Sequence, residues 1–150
     1  MRRAALILIV IAAAFSCTQP PSREMFISRE KAEYGDTYAF DLDLSDTTVT
    51  FDVTLVTMFE RKPFIPFGPD SLAVAMKWVS PSDSVYSDTT YVEMRMAADS
   101  TYFIKEVLTP LTVGPGRPEN GTWRLMAKVK DAPEAVRGLG IICSRNDGTR

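Results

Sequence analysis

From Thr37 onward, apolar side chains recur at every second position in one segment after another, and no window sustains a helical period. Period-two alternation is the mark of strands with one face buried. "TYAFDLDL" sets Tyr38, Phe40, Leu42 and Leu44 on one face, with Asp41 and Asp43 on the other. "VTFDVTL" does the same with Val49, Phe51, Val53 and Leu55, and "SLAVAMKW" with Leu72, Val74, Met76 and Trp78. "YVEMRM" gives Val92, Met94 and Met96; "TWRLMAKV" gives Trp123, Leu125, Ala127 and Val129; "LGIIC" gives Leu139, Ile141 and Cys143. "TYFIKEV" is a shorter candidate with Tyr102 and Ile104 inward. Asp46-Thr47-Thr48 is short enough for a hairpin, Ser80–Ser84 and Asn120-Gly121 carry turn chemistry, and Pro133–Val136 suits a single helical turn. Short strands with one apolar face must be covered face to face, so the expected fold is all-β: a single antiparallel β-sandwich of about seven to eight strands.

The N-terminus reads differently. Arg2 and Arg3 precede an uninterrupted apolar run from Ala4 to Phe15, too short for a spanning helix of roughly 20 residues. A charged start, a short apolar core and small residues after it describe a signal peptide. Two processing routes compete. Ala14-Phe15-Ser16 suits ordinary small-x-small cleavage, and the same residues before Cys17 resemble a lipobox, with Ala14 where leucine is usual. The cysteine at the junction, followed by the polar, proline-stiffened "TQPPSRE", favours the lipobox, because such a segment suits a tether. Residues 1–16 are then a signal peptide, 17–33 the lipidated Cys17 with a flexible tether, and 34–150 the sandwich. Thr18 and Gln19 supply no aspartate to retain the protein in the inner membrane. The expected location is therefore the outer membrane, facing the periplasm, with the membrane itself as partner through the lipid.

Chemistry is sparse. The chain has no histidine, which removes Ser-His-Asp and Cys-His catalysis. Phosphate-loop, paired-cysteine zinc and Ca²⁺-loop spacings are absent from the sequence. Asp41 and Asp43 lie about 7 Å apart on one strand face, where an exposed polar face explains them without catalysis. Cys143, with Cys17 alkylated, has no disulfide partner and reads as a small buried hydrophobe. A net charge of −2 with no basic cluster gives no footprint for nucleic acid. The expectation is a protein that is not an enzyme, with no metal, no small-molecule substrate and no cofactor beyond the covalent lipid on Cys17. Alternation leaves one apolar feature unexplained: Phe64, Ile65, Pro66 and Phe67, in the long loop "FERKPFIPFGPD". They either cap the open end of the sandwich or form a partner-binding contact with a polar rim.

Together, the lipobox, "FDLDLSDTTVTFDVTL", "IPFGPDSLAV", "SPSDSVYSDT" and "GTWRLMAKV" leading to "VRGLGIICSR" resemble GldH, the gliding-motility-associated lipoprotein family of the Bacteroidota. The resemblance spans roughly residues 34–145. Its most specific pieces are Asp46-Thr47-Thr48, Pro81–Thr89 and Val136-x-Gly138-Leu139-Gly140-Ile141. Where that family carries an asparagine- and tyrosine-rich stretch, this chain has "ERKPFIPFGPD". The resemblance implies a non-catalytic outer-membrane lipoprotein that works with other gliding and type IX secretion proteins. From a different class, a tethered binding module for glycan or peptide is the alternative. A glycan site would want Trp or Tyr on an exposed strand face, whereas Trp78 and Trp123 fall in phase with the buried sets.

Overall fold

The computed structural model describes residues 22–33, 35–61, 68–95, 103–114, 116 and 118–146. Its strands are β1 (Ser22–Ser28), β2 (Thr37–Asp43), β3 (Thr50–Glu60), β4 (Ser71–Val79), β5 (Val85–Glu93), β6 (Ile104–Leu111), β7 (Thr122–Val129) and β8 (Val136–Asn146). They form two four-stranded sheets, ordered β1-β8-β3-β6 and β2-β7-β4-β5. All pairings are antiparallel. The fold is the antiparallel β-sandwich that the alternation predicts.

The core lies between the sheets and is drawn from the inward phase of each strand. Tyr38, Phe40 and Leu42 on β2, Leu72, Val74, Met76 and Trp78 on β4, and Trp123, Leu125, Ala127 and Val129 on β7 are all buried. Facing them are Val53, Leu55 and Phe59 on β3, Val107 on β6, and Leu139, Ile141 and Cys143 on β8. Each fully buried aliphatic or aromatic side chain contributes about 1.5–3 kcal/mol, so this interleaved set is the main source of stability. Val49 and Phe51, at the entrance to β3, are only half-buried. The Pro133–Val136 segment forms a tight hydrogen-bonded turn in place of the expected helical one, with Val136 N donating to Pro133 O at 3.1 Å.

Three local expectations are corrected. Ser22–Ser28, assigned by sequence to the 17–33 tether, is edge strand β1, paired with β8 from Ser22↔Ser144 to Ser28↔Gly138. Its inward residues Met25 and Ile27 pack against the core, and its backbone covers what would otherwise be an open edge of β8. Asp46-Thr47-Thr48 does not close a hairpin, because β2 and β3 belong to different sheets. Instead, Asp46 Oδ1 accepts from Thr48 N at 2.9 Å, an Asx turn that redirects the chain across the sandwich. Finally, β6 runs in the opposite phase from that expected. Val107 is buried and Ile104 faces out, while Tyr102 and Met96 lie outside the described residues. Both phases of "IKEVLTPL" carry apolar side chains, so alternation alone does not choose between them.

Candidate functional site

Cys17 and the quartet Phe64, Ile65, Pro66 and Phe67 lie outside the described residues. Asp41 and Asp43, the carboxylate pair on β2, are engaged locally. Asp41 Oδ1 accepts from Arg124 Nε at 3.1 Å across β2 and β7, with both side chains exposed. Asp43 Oδ1 accepts from Ser45 Oγ at 2.6 Å and Ser45 N at 3.1 Å, and these bonds hold its carboxyl below the usual range. A general acid needs the reverse shift. Cys143 is buried and free, and burial pushes its thiol up, away from the reactive thiolate. It lines a cavity of about 210 Å³ at the end of the sandwich where β1 begins, with Met25, Leu42 and Phe51 as further apolar walls and Arg23 on the rim. Among the described residues, no cluster of three or more His, Cys, Asp or Glu could hold a metal ion.

The outward face of the first sheet carries the stronger feature. Register places Phe26, Gly140, Val56 and Leu108 in one row across β1, β8, β3 and β6. Ile142 and Thr54 flank that row on one side, and Gly138 and Met58 on the other. Ile104 stands beside Glu60 at the far end of β6. Three of these side chains remain open to solvent: Phe26 is 46%, Ile104 56% and Leu108 58% exposed. A groove of about 460 Å³ runs over Gly140, walled by Phe26, Val56 and Met58 and edged by Glu24 and Glu106. The glycines make it. A Cβ on Gly138 would lie 2.6 Å from Phe26 Cζ, and one on Gly140 would lie 3.2 Å from Phe26 Cδ2. The ring therefore lies over bare backbone. Carboxylates surround the row: Glu24, Asp52, Glu60 and Glu106 share this face by register. Arg137 pairs with Glu60 at 3.2 Å. It is the extra residue where the β3–β8 register shifts between Met58 and Phe59.

An apolar row with a charged rim is the composition of a protein interface. Sequence reasoning attended to the inward phase and missed it. Its signal was present in "LVTMF" on β3 and "GIIC" on β8, where apolar residues fill both phases. Such runs mark strands covered on both faces.

No protein-family model matches the chain, and no curated protein does. Among solved structures, the chain is similar to dimeric latent PorU from Porphyromonas gingivalis. The identity is 14% and the TM-score 0.37, over 84% of this chain and 13% of that one. The chain thus spans about an eighth of the length of that protein.

Proposed function

We propose that this chain is a non-enzymatic, lipid-anchored envelope protein, a structural or assembly subunit that docks on a partner protein through the outer face of its first sheet. The observation that carries the reading is the outward row Phe26–Gly140–Val56–Leu108, exposed at Phe26 and Leu108, with Ile104 exposed further along β6. The resemblance to the GldH family supports the setting: outer membrane, periplasmic face, and an assembly that serves gliding motility and type IX secretion. Lipid on Cys17 supplies the anchor, because two or more acyl chains hold a protein stably on a bilayer where one does not. The alternative, a tethered glycan- or peptide-binding module, loses its best stacking groups, since Trp78 and Trp123 are both buried.

The test is site-specific photocrosslinking in intact envelopes, with the crosslinker placed at Leu108 and, as control, at Thr89 on the second sheet. One discrete crosslinked protein from position 108 and none of that mass from position 89 is the expected result. Equal, diffuse crosslinking from both positions would refute docking by this face.

A further inference from the structure

We infer that the outer face of the second sheet is a binding site for an anionic saccharide. This inference is independent of docking by the first sheet.

Register builds the site. Lys77 stands opposite Met126, and Ala75 opposite Lys128, across β4 and β7. On the other side of β4, Lys77 faces Ser87, Ala75 faces Thr89 and Ala73 faces Tyr91 on β5. Lys77 and Lys128 are thus diagonal neighbours on one face, about 7–8 Å apart at the backbone. Both are exposed. Neither has an ion-pair partner among the described residues, whereas nearby Arg124 is paired with Asp41. Like charges on neighbouring strand positions repel, and an anion between the two ammonium groups would relieve that repulsion.

Ala73 and Ala75 are small, so the face is open between its taller side chains. The resulting basin of about 810 Å³ is lined by Thr37, Lys77, Ser87, Thr89, Tyr91 and Lys128 over Ala75 and Met126, with Asp88 at its edge. Tyr91 is 65% exposed, a flat aromatic at one side of a basin whose other side is cationic. Hydroxyls of Thr37, Ser87 and Thr89 supply short-range donors and acceptors, while Asp88, opposite Met76 in the other phase of β5, accepts from Thr89 N at 2.7 Å. An aromatic face for the C–H side of a sugar ring, hydroxyl partners and two unpaired ammonium groups together select a saccharide that bears carboxylate, phosphate or sulfate. A neutral glycan would leave the lysines unanswered. An acidic peptide would answer them but make little use of the ring and hydroxyls.

The experiment titrates the full-length protein in detergent with polygalacturonate oligomers, neutral dextran oligomers and oligoglutamate. Polygalacturonate should bind, with an affinity that falls as salt rises. Tyr91→Ala, and separately Lys77→Ala with Lys128→Ala, should each weaken binding tenfold or more with an unchanged melting temperature. Ile104→Asp with Leu108→Asp, on the opposite sheet, should leave it unaltered. Absence of polygalacturonate binding, equal binding of dextran, or binding that survives the double lysine change would overturn the inference. So would oligoglutamate binding equally well and indifferently to Tyr91→Ala, which would mark a charge effect only. Loss of the Leu108 crosslink has no bearing on these titrations, so the two proposals fail separately.

Discussion

Trp123 stands edge-on to Trp78 in the core, with ring centroids 6.5 Å apart and planes at 78°. Edge-to-face pairs add about 0.5–1.5 kcal/mol beyond the area they bury. Trp123 also donates from Nε1 to Glu119 O at 2.8 Å, so its polar atom is satisfied. Trp123→Ala is expected to cost about 3–5 kcal/mol, a large share of the roughly 5–15 kcal/mol of a typical domain. Trp123→Phe keeps much of the packing but loses the bond to Glu119 O on an exposed residue, at about 0.5–1.5 kcal/mol. Denaturant melts should rank them wild type, Phe, Ala. An unchanged Trp123→Ala midpoint would place this indole outside the core.

Gly114 is held in the left-handed region at φ +49°, and a Cβ there would lie 2.9 Å from the Trp123 ring. The ring is walled in and cannot retreat. Gly114→Ala should therefore destabilise by more than the roughly 1 kcal/mol that the conformation alone costs. A melt shift no larger than that of Gly116→Ala, where the nearest atom would be 3.7 Å away, would contradict this.

Tyr38 and Thr57 are fully buried, and neither hydroxyl has a hydrogen-bond partner among the described residues. Burial, with the nearby Asp36 charge, pushes the Tyr38 phenol up to about 12 from 10.0. Below pH 10 both the folded and unfolded phenols are neutral and the stability is fully present. Between pH 10 and 12 only the unfolded one ionises, so stability falls as pH rises, by about 1.4 kcal/mol per unit at most. Tyr38→Phe should match or exceed wild type at pH 7 and lose less stability between pH 10 and 12. Parallel curves for the two proteins would show that Tyr38 does not titrate this way. Thr57→Val should be neutral or stabilising.

Legibility in the sequence varied with how many faces of a strand are apolar. β2, β4 and β7 keep most of their large apolar side chains in one phase, and every inward residue expected there is buried. β6 carries Ile104 and Leu108 in one phase and Val107 and Leu111 in the other, so alternation does not fix which of them faces inward. β1 escaped notice because "SREMFIS" brings only Met25 and Ile27 inward; its stability comes from backbone pairing to β8, more than a hundred residues away in sequence. Strand order was equally hidden. Of the pairings, only β4–β5 joins neighbours in the chain, and the others are set by tertiary closure that no local signal encodes. The outward row on the first sheet depends on that order, which alone brings Phe26, Gly140, Val56 and Leu108 side by side.

Arg29 ties the chain between β1 and β2 to the turn before β8. Its Nε lies 2.8 Å from Asp36 Oδ1, Nη1 donates to Pro133 O at 2.8 Å and Nη2 to Ala132 O at 3.2 Å. A planar fork makes these bonds together, which an ammonium group does not. Arg29→Lys should therefore lose nearly as much stability as Arg29→Ala, about 1–3 kcal/mol. Full rescue by lysine, read from thermal melts, would reduce the contact to charge alone.

With β1 starting at Ser22, the chain from Cys17 reaches at most about 18 Å at roughly 3.5 Å per residue. A lipid on Cys17 would thus keep the Arg23 end of the sandwich close to the bilayer. Cys17→Ser is expected to move the protein from the membrane fraction to soluble periplasm or unprocessed precursor. Mass spectrometry of the wild type should find an acylated N-terminal cysteine, and a mature chain with a free Cys17 would dispose of the anchor.

Two apolar sets compete for the role of docking surface: Phe64 and Phe67, between β3 and β4 in sequence and outside the described residues, and Ile104 with Leu108 on the outer face of β6. Polar substitution separates them by what is lost. Ile104→Asp with Leu108→Asp alters side chains already more than half exposed, so the melting temperature should hold. Burying an aliphatic side chain is worth about 1.5–3 kcal/mol, so replacing both by carboxylates should weaken a contact by about a hundredfold or more. Val56→Asp, in the same row but buried, should unfold the domain and serves as the control for damage. Phe64→Ser with Phe67→Ser should lower stability if the loop caps the sandwich, and should lower only partner retention if the loop joins the interface. A β6 double variant that is fully stable and retains every crosslinked partner of the wild type would remove the first sheet from the docking proposal and leave the loop as its remaining surface.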